Sequence, residues 1–208
     1  MDYLIVTKVG GRVIRAVRPK IVLEVLNRLD KYIEGRRKRQ SWEERRFIVG
    51  FLFWTGLRAS ELLKVRRRDL DIASRLLHAP TLKQRSFVKI TISLRHVPND
   101  EIRFWERFLA GKDLDSPIVD IRTRFGVWRA VHDAFKVFGY ERVYPHMLRH
   151  SIAILLATLG VPLNVLQRFL RHTDPKNTSI YYSISARDME PYLERVKHRL
   201  LTEESLIL

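Results

Sequence analysis

Residues 145–182 read PHMLRHSIAILLATLGVPLNVLQRFLRHTDPKNTSIYY, three short helices in succession with a break after each of the first two. Pro145 suits a first helical turn, and the apolar run behind it carries to about residue 159. Gly160 and Pro162 stop that helix and start another, about 162–171. Thr173-Asp174-Pro175 then supplies a cap and first residue for a third, about 175–184. Helices this short are marginal alone and must bury an apolar face against neighbours. The stretch therefore predicts part of a helical domain.

The flanking sequence agrees. Helical spacing recurs at about 99–110 and 122–138, and again from Pro19, where Ile21, Val22, Val25, Leu26, Leu29 and Ile33 form a stripe ending near Gly35. Ser41 and Glu44 have capping-box spacing and are expected to open a helix running through Trp54, with Gly56 interrupting it before a further turn through Glu61, Leu62 and Leu63. Two segments look different: LLHAPTL (76–82) and FVKITISL (87–94), the second alternating at Val88, Ile90, Ile92 and Leu94. They predict a small antiparallel sheet. A β-hairpin about Gly10-Gly11 is expected over residues 3–17. The fold class is mainly α (α+β), with a β-prone extension over 1–16, a helical domain over 17–190, and a last helix at about 187–203 within a C-terminal segment of 191–208.

The chain holds 39 Lys and Arg against 23 Asp and Glu, so its net charge of +16 implies a polyanionic partner, nucleic acid before membrane. No long apolar run and no basic-then-apolar leader is present, which predicts a cytoplasmic protein without a membrane partner. Cysteine is absent, excluding disulfides, thiolate metal sites and a cysteine nucleophile within these residues.

Against that background a few residues carry chemistry. Arg58 in TGLRASEL leaves the chain just after a helix-breaking glycine, with Glu61 three positions on and able to grip its guanidinium in bidentate fashion. His146 and Arg149 lie one turn apart on one helix face, near backbone donors of a first turn. The His146/His150 pair has the spacing of a zinc helix, but no Glu follows His146 and Arg149 would repel a cation, so no metal site is assigned. His172 ends its helix nine positions before Tyr181. Arginine forks suit phosphate oxygens, and a tyrosine hydroxyl can hold phosphorus covalently.

These strings, TGLRASEL, HMLRH, LRHTD and TSIYY, make the chain resemble the tyrosine recombinase family, the integrases that cut and rejoin DNA through a phosphotyrosine. The resemblance covers roughly residues 17–190. It implies a catalytic domain in which Tyr181 is the nucleophile, with Tyr182 packing beside it. Arg58, His146, Arg149 and His172 would contact the scissile phosphate, while Glu61 and His150 would support them. It also implies a lysine general acid on the small sheet, for which Lys83 is the first candidate and Lys89 the alternative. No cofactor is implied.

The partners implied are double-stranded DNA, met by the clusters Arg36, Arg37, Lys38, Arg39 and Arg66, Arg67, Arg68, and further copies of the chain in a tetramer on DNA, linked by the C-terminal segment. The expected location is the cytoplasm, on nucleoid or host-cell DNA. The sequence departs from the family in having Arg171 where glycine is usual before the histidine. Only about sixteen residues precede the helices, where an N-terminal DNA-binding domain is common, which suits a minimal recombinase or a piece of a longer one. Two rivals stay open: a type IB topoisomerase-like enzyme, and a non-catalytic DNA-binding accessory factor.

Overall fold

The computed structural model describes residues 3–9, 11–80 and 89–185. Strands β1 (Leu4–Val9) and β2 (Arg12–Val17) form the expected hairpin. Helices α1 (Pro19–Ile33), α2 (Arg39–Thr55) and the single turn α3 (Ala59–Leu62) follow. A three-stranded antiparallel sheet comes next, β3 (Leu70–Asp71), β4 (Leu76–Pro80) and β5 (Lys89–Ser93), with Leu77 opposite Ile92 and Pro80 opposite Lys89. The remaining helices are α4 (Asn99–Leu109), α5 (Arg124–Lys136), α6 (Pro145–Thr158), α7 (Leu163–Leu170) and α8 (Lys176–Ser185). The expected helix at 187–203, the tail beyond it, and Lys83 lie outside the described residues.

Two compact units divide the chain. Among the described residues, the larger runs through Val6 and over Ile14–Ile152, and the smaller holds those of Thr7–Val13 and those from Ala153. In the larger unit α2 is the axis of the core, packed by α1, α4 and α5. From Arg46 to Thr55 every residue of α2 is buried. Phe47 and Phe51 stack at 5.1 Å, and Trp105 of α4 tilts against Phe51 at 4.9 Å. A helix apolar on all sides belongs at the centre of a bundle rather than its rim.

One charge is taken into that core. Arg46 donates to Asp30 at 3.0 Å and to both oxygens of Glu101 at 2.9 and 2.8 Å, and the Trp105 indole also donates to Glu101 at 2.7 Å. Buried ions survive only when paired and bonded in this way. Gly50 is glycine for the same reason, since a Cβ there would collide with the Glu101 carboxylate.

The expected capping box at Ser41 and Glu44 does not form. Helix α2 begins two residues earlier, and Glu44 instead accepts the backbone N–H groups of Asp120 and Ile121, the latter at 3.1 Å. The spacing was right for a cap, but a long-range pair of unpaired amides took the carboxylate.

The hairpin base belongs to the larger unit's core, where Ile14, Ala16 and Val17 are buried. Val17 N–H donates to the Ser151 hydroxyl at 3.0 Å, tying β2 to α6. In the smaller unit α7 packs on α8. Leu166, Leu170, Thr178, Tyr181 and Ile184 are its buried side chains from those two helices. No helix among the described residues is long and apolar enough to cross a membrane.

Candidate active site

The end of α2 explains the TGLR string. Gly56 takes the left-handed conformation, φ 59° and ψ 23°, with its N–H bonded to Leu52 carbonyl at 3.0 Å. A side chain would resist that backbone, so glycine ends the helix cleanly. Thr55 hydroxyl donates to Phe51 carbonyl at 2.5 Å and accepts Leu57 N–H at 3.4 Å, which fixes the turn. Arg58 emerges extended, φ −79° and ψ 154°, as the cap of α3.

Glu61 is 1% exposed and holds Arg58 in a way that differs from a two-pronged grip on the guanidinium. One carboxylate oxygen accepts Nη1 at 2.8 Å, and the other accepts the backbone N–H of Arg58 at 2.8 Å. Side chain and main chain are thus fixed together, while the arginine side chain stays 30% exposed.

Helix α6 brings the second arginine to the same turn. Arg149 is 1% exposed, and its Nη1 donates to the Gly56 carbonyl. Gly56 therefore serves both arginines: its backbone angles send Arg58 outward, and its carbonyl seats Arg149. His146, one turn earlier on α6, presents part of its surface to solvent, yet its ring is crowded enough that burial depresses its pKa from 6.5. The positive charges of Arg149 and then Arg58 push it further down. Burial first and then the two guanidinium groups thus favour the neutral imidazole. His150 is half-buried with its ring edge-on to His146, centroids 4.3 Å apart. Arg58, His146, Arg149 and His150, with Glu61 as support, are gathered in the larger unit.

The smaller unit holds the other two. Helix α7 ends at Arg171 in the left-handed region, φ 55° and ψ 39°, the conformation that a glycine would take there. His172 N–H then donates to Gln167 carbonyl at 3.1 Å, and the Gln167 amide donates to His172 carbonyl at 3.1 Å. His172 Nδ1 bonds the buried Thr178 hydroxyl at 2.9 Å, setting the ring's direction. Tyr181, 1% exposed, lies nearly parallel to that ring, centroids 6.4 Å apart with a 17° interplanar angle. Tyr182 is half-buried and donates its hydroxyl to Val161 carbonyl. Burial raises its pKa from 10.0, so it remains a phenol.

Residues 21–187 match the model of the phage integrase family. The chain belongs to that family. Among relatives, the tyrosine recombinase XerA of Pyrococcus furiosus is 28% identical over 159 residues, covering 72% of this chain and 54% of the relative. Tyrosine recombinase XerC of Bacillus licheniformis is 29% identical over 154 residues, covering 68% of this chain and 49% of the relative. The chain spans about half the length of the curated relatives it matches. In fold it is similar to the XerA recombinase, with a TM-score of 0.64 at 19% identity over 82% of this chain and 61% of that one. It is similar also to XerH bound to a palindromic difH substrate after cleavage, with a TM-score of 0.64 at 18% identity over 86% and 52%. The mainly helical catalytic-domain fold with small antiparallel sheets follows.

For a phage integrase family member, three groups around the candidate site were not assigned from sequence: the Gly56 carbonyl under Arg149, the Thr178 hydroxyl on His172, and Gln167 clamping the His172 backbone. Thr178 alone left a signal, in the TSIYY string. Lys83 is not among the described residues, and Lys89 begins β5. The basic clusters differ in how far their charge is already spent. Arg36 through Arg39 are all exposed, with Arg36 lying over the Tyr32 ring at 4.0 Å and Arg39 paired to Glu43 at 2.9 Å. Arg66 donates to Asp115 carbonyl at 2.7 Å, Arg67 to Leu70 carbonyl at 2.9 Å, and Arg68 pairs with the Asp115 carboxylate.

Proposed function

We propose that this chain is the catalytic part of a site-specific DNA recombinase, which cleaves and rejoins strands through a 3′-phosphotyrosine. The observation that carries the reading is the Gly56 turn, from which Arg58 is directed outward and on which Arg149 is seated, with His146 feeling both charges. Such a place suits a phosphate whose non-bridging oxygens gain charge as phosphorus is attacked. Tyr181 oxygen forms the new bond to phosphorus, the bond to the 5′ oxygen breaks, and that oxygen takes a proton. Lys83, or Lys89 in its stead, supplies the proton. Neutral His146 and the Thr178-oriented His172 give hydrogen bonds and carry the tyrosine proton away. The phosphoester survives in the intermediate, so a second 5′ hydroxyl can reverse the step without an external energy source.

The partner in this reading is double-stranded DNA, consistent with a net charge of +16. Arg36 to Arg39, all exposed and of which Arg39 is paired with Glu43, contribute more of the phosphate contact than Arg66 to Arg68, each bonded to a carbonyl or carboxylate. Assembly is a tetramer on DNA, coupled by the segment beyond residue 190, and the protein works on DNA in the cytoplasm. A duplex carrying a nick near the recombination site tests the reading, because the short cleaved piece diffuses away and traps the adduct. A recombinase gives adducts and exchanges strands between two sites; supercoil relaxation without exchange would favour the topoisomerase-like alternative, and DNA binding with no adduct a non-catalytic accessory factor.

A further inference from the structure

Helix α5 buries one face and leaves an aromatic ladder on another. Val127, Ala130, Val131, Ala134 and Phe135 make its core contacts. Phe125, Trp128 and His132 stand apart from that set, at positions i, i+3 and i+7, and their rings stack on one another. Phe125 and Trp128 have centroids 5.9 Å apart at 13°, and Trp128 and His132 lie 4.9 Å apart at 9°. The column runs from a half-buried histidine outward to Phe125, which is 68% exposed, past Trp128 at 40%. Folding does not require two large rings in water, and nothing in the catalytic reading uses them.

The ladder is also rigidly mounted. Thr123 hydroxyl caps α5 by accepting Gly126 N–H at 3.0 Å, and a Cβ on Gly126 would press on Ile121. The Ile121 amide is in turn held by Glu44 at 3.1 Å. Exposed Arg122, Arg124 and Arg129 are close to Phe125 in sequence, Arg129 one helical turn beyond it and paired weakly with Asp133 at 3.7 Å. A column of near-parallel rings with its outer member largely exposed offers a surface that one more flat π-system can extend, and the guanidinium groups beside it suit the phosphates attached to such a ligand. Bases inside an intact duplex already have both faces covered by their neighbours.

We infer that the Phe125–Trp128–His132 column is a stacking platform for an unpaired base of the bound DNA. The inference rests on the DNA reading above and adds to it a demand for local strand opening. The test uses fluorescence anisotropy with the full chain and three labelled probes: a single strand, a duplex with a short mismatched bubble, and the same duplex fully paired. Phe125→Ala and Trp128→Ala should each weaken binding to the single strand and the bubble by about 5- to 150-fold, the loss per stacked base. Affinity for the paired duplex should change by less than about 2-fold, because the arginines that meet phosphates remain. Phe125→Tyr should restore bubble binding, and circular dichroism should show native helix content in all variants. Equal loss on all three probes would overturn the platform, as would unchanged binding throughout, or loss of self-association in place of DNA affinity. Failure of the unaltered chain to bind any DNA would instead overturn the DNA reading itself.

Discussion

The two units equip themselves for chemistry in opposite ways. The larger presents charge that is already organised: Arg58 is fixed through both side chain and backbone by Glu61, and Arg149 is seated on a glycine carbonyl. The smaller holds a histidine oriented by Thr178, but its tyrosine is 1% exposed. Preorganised donors cost nothing at the moment of reaction, so electrostatic stabilisation belongs where the protein is stiff. A nucleophile can be kept covered until substrate arrives, since a tyrosine competent at all times would also attack the wrong phosphate. In the proposed reaction, the phosphate site would belong to the stiff larger unit and the timing of attack to the segment carrying Tyr181.

Removing Arg149 should have the largest effect on that contrast. Arg149→Ala is expected to slow cleavage on the order of 100- to 1,000-fold, as loss of a transition-state donor does. It should also lower the melting temperature, because a fully buried side chain and its hydrogen bond to the Gly56 carbonyl are lost. Single-turnover cleavage beside thermal unfolding separates the two losses. On the other side, Thr178→Val should slow cleavage roughly 10-fold with little change in DNA affinity, by releasing the His172 ring. An unchanged rate would mean the second unit does not rely on preset orientation.

The response to pH is smaller. His146 has a depressed pKa through burial and the neighbouring arginines, and His96 through burial. The fold therefore favours the neutral rings, and their contribution is complete above the ordinary value of 6.5 and lost as pH falls through their lower native values. Melting temperature should stay flat from about pH 8 to 7 and decline below about 6.5, and His146→Gln should blunt the decline. The smallest effect concerns Arg171, which takes a left-handed backbone at φ 55°. Arg171→Gly should stabilise by up to about 1 kcal/mol and keep activity, whereas Arg171→Val should destabilise by about 1–2 kcal/mol, both read by denaturant titration.

The helices and the small sheet were legible because apolar spacing and Gly or Pro punctuation are local signals. Helix α6, for example, was expected from Pro145 to about 159 and runs from Pro145 to Thr158. The residues proposed for chemistry were legible as types at fixed spacings. Their supports were not. Glu44 meets Ile121 across 77 positions and Arg149 meets Gly56 across 93, and no local pattern encodes partners that only tertiary packing brings together. Arg171 shows the converse: the sequence departs from the family's usual glycine, yet the backbone keeps the glycine-like turn, so His172 still reaches Thr178.

In the proposed reaction Tyr181 attacks a phosphate held by the arginines, and the adduct itself can be read. Protein trapped on a nicked duplex is digested with protease and nuclease, and the nucleotide-bearing peptide is sequenced by mass spectrometry. The expected result is a nucleotide joined through its 3′ phosphate to Tyr181, a free 5′ hydroxyl on the departing strand, and no adduct from Tyr181→Phe while Tyr182→Phe retains it. A nucleotide on Tyr182, a 5′-phosphate linkage, or an adduct that survives Tyr181→Phe would contradict it.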